Sequence, residues 1–120
     1  MHPATLAITA GRAHSGSSLA PALWASSVWQ SADMRDARRR ATGVRSGEFY
    51  GRYANPTVAS FEEAVAVLEG AEASLAFASG MGAISTIVLA LCGQGSHIVA
   101  QRQLYSATLA FLQGPCARFG

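Results

Sequence analysis

From Ser74 to about Gly114 the chain alternates short apolar runs with longer ones that open on small residues, and this alternation restricts the fold more than any other feature. Ser74-Leu-Ala-Phe-Ala78 reads as a short strand. Residues 80–92 read as a helix that is apolar nearly all round, which calls for burial on several sides. Gly93-Gln94-Gly95-Ser96 is a turn, His97 to Gln101 reads as a second buried strand, and Leu104 to about Gly114 reads as another helix, limited by Pro115. Strand, helix, strand and helix at short spacing predict an α/β fold with a parallel sheet and right-handed crossovers. Ligands of such sheets sit at the carboxyl ends of the strands, which puts the Ser79–Gly82 turn and Tyr105 on one edge.

The Ser79-Gly80-Met81-Gly82 turn has its own chemistry. A helix that begins at small residues offers bare N–H groups and a positive dipole end to an anion. Gly80 and Gly82 let the anion approach the backbone, and Arg52 is a fixed charge able to close the other side. The same glycines serve equally well to let helix and strand pack closely, so the turn by itself leaves both readings open. Gly80-Met81-Gly82-Ala83-Ile84-Ser85 has serine where a dinucleotide fingerprint wants its third glycine, and no acidic residue follows Glu72 to hold a ribose. A P-loop needs a lysine, and all nine basic residues are arginine. The last 48 residues contain no carboxylate side chain, so nothing there can act as an Asp or Glu general base.

Upstream, Asn55 or Thr57 can cap a helix whose first turn tolerates Pro56. Val58, Phe61, Val65 and Leu68 fall at helical spacing, and Gly70 ends the run. Residues 1–20 look irregular, residues 21–30 extended and apolar, and residues 31–47 polar, with an arginine cluster from Arg35 to Arg45 that reads as a solvated or interfacial segment. Half of the chain is hydrophobic and only 13% is charged, against roughly 25% in ordinary soluble domains. This surplus implies cover from other subunits or further protein. The net charge of +2 is too small to imply nucleic-acid or membrane binding. Cys92 and Cys116 lack metal or redox spacing and read as buried reduced thiols in a cytoplasmic protein. His2, His14 and His97 show no metal-ligand spacing. There is no long apolar stretch near the N-terminus to serve as a secretory signal, and the run from Ala83 to Cys92 is far short of the ~20 residues that span a membrane.

Taken in order, Tyr50-Gly51-Arg52-Tyr53-Ala54-Asn55-Pro56-Thr57, Leu68-Glu69-Gly70, Ala78-Ser79-Gly80-Met81-Gly82-Ala83-Ile84 and Leu104-Tyr105 resemble the Cys/Met-metabolism family of pyridoxal-phosphate enzymes. Its members include cystathionine γ-synthase, cystathionine lyases, methionine γ-lyase and the homoserine-ester sulfhydrylases. Pro21 to Trp29 also resembles the family's stretch near its N-terminus. The resemblance implies the first part of a type I aminotransferase-like fold: an N-terminal arm making oligomer contacts over residues 1–49, then the beginning of the cofactor-binding α/β domain over 50–120. It implies that the amides of Gly80 and Met81 hold the cofactor phosphate and that the Tyr105 ring stacks on the pyridine. It further implies that Tyr50 and Arg52 reach a neighbouring subunit's phosphate in a homo-oligomer, a dimer of dimers, with Tyr50 also handling protons. Each role has a plainer rival: Tyr105 as a core aromatic, Arg52 paired with Glu48, Tyr50 as a strand-edge aromatic.

Ser106 and Ser96 stand where the family commonly has glycine and aspartate, and Ala107 where methionine γ-lyases often carry cysteine. Pyridoxal-phosphate chemistry also needs a lysine for the Schiff base and a carboxylate against the pyridine nitrogen, which the family places beyond residue 120. The resemblance therefore implies the N-terminal part of a trans-sulfuration enzyme acting on sulfur amino acids or activated homoserine, inactive alone. The alternatives are a non-catalytic piece that complements a separate C-terminal half and a free-standing phosphate- or nucleotide-binding module. Two or three strands with one apolar helix would leave a sheet edge and a core face uncovered.

Overall fold

The computed structural model describes residues 1–13, 15–43 and 48–120, so the expectations for His14 and Arg45 lie outside the described residues. These residues form two compact units, Met1–Ala76 and Phe77–Gly120.

The first unit is organised by three helices, α1 (Pro3–Thr9), α2 (Met34–Thr42) and α3 (Pro56–Glu69). α3 follows the sequence pattern closely. Pro56 occupies its first position, Asn55 caps it, and Gly70 ends it in the left-handed conformation at φ 64°. Of the two candidate caps, the structure uses Asn55, whose Oδ1 accepts from the Thr57 N–H at 2.8 Å. Thr57 is engaged elsewhere: its Oγ1 accepts from the Trp24 N–H and donates to the Ala22 carbonyl. Asn55 Nδ2 adds a bond to the Trp24 carbonyl. One Asn-Pro-Thr motif thus starts a helix and fastens the extended 21–30 segment across it.

Two upstream stretches depart from expectation. Residues 1–20 contain α1, which starts because His2 Nδ1 accepts from the Ala4 N–H and Pro3 suits a first helical turn. α1 packs on α3, with Gly11, just past it, buried against the Ser60 carbonyl and Ala64. The polar stretch contains α2, where Asp33 caps through the Asp36 N–H at 2.7 Å. Asp36 is buried and accepts from the Ala32 N–H. It also pairs with Arg40 at 2.9 Å and with Arg39. Part of the arginine cluster therefore holds its own helix together.

The Arg40 hydrogen bond, the Ala32 N–H and, less strongly, Arg39 hold the Asp36 carboxyl below its ordinary value of 3.8, against the opposing effect of desolvation. A depressed folded-state pKa contributes stability that is complete above the unfolded value and is lost as pH falls through the folded value. The helical far-UV signal of α2 should therefore fade below about pH 4. Asp36→Asn should weaken the helix at neutral pH and flatten that acid limb. An acid limb unchanged in the variant would show that Asp36 does not carry it.

The second unit contains α4 (Gly80–Leu91) and α5 (Ser106–Phe111), a π-helical turn over Leu112–Cys116, and a last helical turn, α6 (Ala117–Phe119). Pro115 does not end the helical path as expected. It has no N–H to donate, and its ring crowds the carbonyl four residues back; the widened π turn carries the chain past it. α4 begins at Gly80 as expected, with Ser79 as its cap, yet it has no buried residue, and Leu89 and Leu91 are exposed. The expectation of burial on several sides fails because, among the described residues, α5 is the one helix packed against α4.

The α/β expectation is not met within the described residues. Segments 74–78 and 97–101 form no β-ladder, and the one bridge is an antiparallel contact between Val28 and Tyr50. A strand is completed by a neighbour's N–H and C=O groups, and no neighbouring strand is present for these segments. At Ala76 the N–H goes instead to Glu62 Oε1 on α3 at 2.9 Å, and Ser74 Oγ donates to the Glu62 carbonyl. Cys92 and Cys116 are free but half-buried rather than buried. Both line one cavity of about 310 Å³ with Val88, Ile98 and Leu112.

Candidate functional site

Each unit carries candidate site residues of its own. In the first, residues 49–51 run antiparallel to 27–29: the Trp29 N–H donates to the Phe49 carbonyl at 3.1 Å and the Gly51 N–H to the Ser27 carbonyl at 2.8 Å. This pairing sets Tyr50 opposite Val28. The Arg52 guanidinium carbon lies 5.2 Å from the centre of the Tyr50 ring and 5.5 Å from that of Tyr53. Phe49 stacks on Tyr53 at 16°, and Tyr50 meets Tyr53 edge-on. Arg52 is thus braced by two aromatic faces, each of which attracts a cation. Arg52 also lines a cavity of about 300 Å³ with Tyr53, Asn55, Val58 and Glu62. The arrangement is a cation held in place by two aromatic rings, and a guanidinium so placed can meet an oxyanion with a charge-assisted hydrogen bond.

In the second unit, α4 begins at Ser79, whose Oγ accepts from the Gly82 N–H at 3.0 Å while its carbonyl accepts from Ala83. The donors of Gly82 and Ala83 are therefore satisfied within the turn. Helical geometry leaves those of Gly80 and Met81 without an intrahelical acceptor. Space beside Gly80 is open: a Cβ built there meets no atom within 4 Å. Two free amides, a helix dipole, an open approach and no carboxylate side chain in the whole unit fit a phosphate group.

Tyr105 occupies the residue before α5 and is 69% exposed. Its ring is free to lie against a flat ligand. One turn on, Thr108 is buried at 6% exposure, and its Oγ1 donates to Met81 Sδ at 3.3 Å. This link was not legible in the sequence, where Thr108 is one more residue of an apolar helix. Only the fold shows the Tyr53 ring beside Arg52. No helix among the described residues is long and apolar enough to cross a membrane.

Comparison with known proteins agrees with the motif pattern. Residues 4–120 match the family described as Cys/Met metabolism PLP-dependent enzyme. The chain is 39% identical to O-succinylhomoserine sulfhydrylase of Pseudomonas aeruginosa over 117 residues, which is 97% of this chain and 29% of that protein. It is 43% identical to L-methionine gamma-lyase of Porphyromonas gingivalis over 82 residues, 68% of this chain and 21% of that protein. It is 44% identical to probable cystathionine gamma-synthase 2 of Arabidopsis thaliana over 71 residues, 59% of this chain and 17% of that protein. The chain thus spans less than a third of the length of these relatives. The ordered motifs and a match across nearly all of its residues lead to one conclusion: the chain belongs to the Cys/Met-metabolism family of pyridoxal-phosphate-dependent enzymes.

Proposed function

We propose that these residues supply the phosphate cradle, the ring-stacking aromatic and the subunit-reaching arm of a trans-sulfuration enzyme. Its substrates would be sulfur amino acids or activated homoserine. The observation that carries this reading is the Ser79-capped start of α4, where two amides stay available and no acidic side chain competes. Gly80 and Met81 hold the phosphate through their N–H groups. The exposed Tyr105 ring covers one face of the pyridine. Tyr50 and Arg52 extend to the neighbouring subunit's phosphate in a homo-oligomer assembled as a dimer of dimers. The phenol of Tyr50, beside the Arg52 cation, gives and takes a proton near the substrate. When bound, pyridoxal phosphate supplies the electron sink for reaction next to the amino group.

On this reading residues 1–49 are the oligomer arm and 50–120 the opening of the cofactor domain, with an α/β sheet completed by strands outside these residues. The setting is cytoplasmic. A chain without lysine is inactive alone. The exposed apolar residues of α4 also favour a related reading, in which this chain assembles with a separately encoded half that brings the lysine.

The test is a chimera in which residues 4–120 replace the matched segment of the Pseudomonas aeruginosa sulfhydrylase. It should retain pyridoxal phosphate and turn over O-succinylhomoserine. Arg52→Ala in that chimera should weaken cofactor retention by roughly ten- to a hundredfold, the worth of one hydrogen bond to a charged group. A chimera that folds and assembles but holds no cofactor would overturn the proposal.

A further inference from the structure

The geometry points to Thr108 as a positioning residue that fixes the phosphate cradle against the start of α5, where Tyr105 sits; this inference rests on the cradle reading above. Thr108 is 6% exposed, and its hydroxyl donates to the sulfur of Met81, the second residue of α4. Met81 contributes one of the two free amides, and Tyr105 stands three residues before Thr108. One side-chain bond therefore joins the helix that carries the cradle to the helix that carries the ring.

Chemistry argues that the bond serves placement more than stability. A thioether is a weak acceptor, and a buried hydroxyl gains little from it beyond what desolvation removes. Valine would fill the same volume without a polar atom to satisfy. What threonine adds is direction: it holds a flexible methionine side chain, with three rotatable bonds, in one place. The backbone at Met81 is thereby held at one setting relative to α5, and the spacing between phosphate and ring follows from it. α4 has no buried residue of its own to perform that task by packing.

The test compares wild type, Thr108→Val and Thr108→Ser in the full chain, titrated with inorganic phosphate while the Gly80 and Met81 amide resonances and the Met81 methyl resonance are followed by NMR. Thr108→Val keeps the shape and removes the donor. It should displace or broaden the Met81 methyl line and raise the phosphate dissociation constant roughly three- to tenfold, with the thermal unfolding curve unchanged. Thr108→Ser restores the donor and should recover both signals. Wild-type phosphate affinity and an unmoved methyl line in Thr108→Val would overturn the inference. So would a loss of affinity matched by an equal loss in Thr108→Ser, since that would follow from lost packing. Absence of an amide response to phosphate in all three proteins, while the methyl line still distinguishes them, would overturn the cradle reading, and the inference with it.

Discussion

Incubated with cystathionine or an acylated homoserine in the presence of pyridoxal phosphate, this chain alone will release product no faster than the cofactor free in solution. Borohydride reduction will fix no cofactor to any of its side chains. Both expectations follow from one count: nine basic residues, all arginine. Reductive capture needs a primary amine, and arginine stays protonated at any working pH. The α-amino group of Met1 is the one primary amine in the sequence. On the proposed reading the second unit binds the phosphate and covers the ring, but it carries no carboxylate and no lysine to move a proton. Without the lysine amine that forms the Schiff base and moves its proton, binding alone gives no acceleration of the chemical step. Mass spectrometry of the reduced digest, with a turnover assay alongside, checks this. A stoichiometric adduct on a side chain, or turnover above the free cofactor's rate, would reject it. Activity in the chimera beside inactivity of the chain alone would place the missing groups in the relative's portion.

Gly11→Ala will release α1 from α3. Gly11 sits at φ +76°, and a Cβ there would lie 2.3 Å from the Ser60 carbonyl oxygen and 3.0 Å from Ala64 Cβ. The obstacle is helix backbone, which cannot swing aside as a side-chain tip would. The left-handed conformation adds about 1–2 kcal/mol for a residue with a Cβ, and overpacking adds about 1–3 kcal/mol. A cost of about 3 kcal/mol raises the undocked population more than a hundredfold. Among the described residues few apolar side chains are buried, Ala66 and Pro56 on α3 among them, so little else resists the opening. Arg12 follows Gly11 directly and supplies a trypsin site. Cleavage after Arg12 under mild proteolysis should accelerate by a comparable factor, with α3 helicity retained. An unchanged rate at Arg12 would mean that α1 is not docked through Gly11.

Local signals in the sequence succeeded where the interaction is short-range. Asn55, Pro56 and Gly70 bound α3, and Ser79 starts α4, because capping and left-handed turns involve residues two or three apart. The family was legible for a related reason: its motifs are short runs in fixed order, and they survive whether or not the fold around them is complete.

What needed the tertiary structure was every choice made between distant groups. Either Asn55 or Thr57 could cap; the approach of Trp24 and Ala22 assigned Thr57 to them. Arg52 could have faced Glu48 or an aromatic, and pairing of Val28 with Tyr50 brought it over two rings. Thr108 gained its meaning from Met81, 27 residues away. The two apolar runs read as strands show the limit most clearly. A helix satisfies its own backbone, so its sequence suffices to announce it; a strand depends on a neighbour, and at Ala76 the fold gave that N–H to Glu62. By itself the sequence determined the bounds of α3, the start of α4, the family and the absence of lysine. The tertiary structure alone decided which of several possible partners each polar group took, because a hydrogen bond between remote residues exists only once the chain has brought them together.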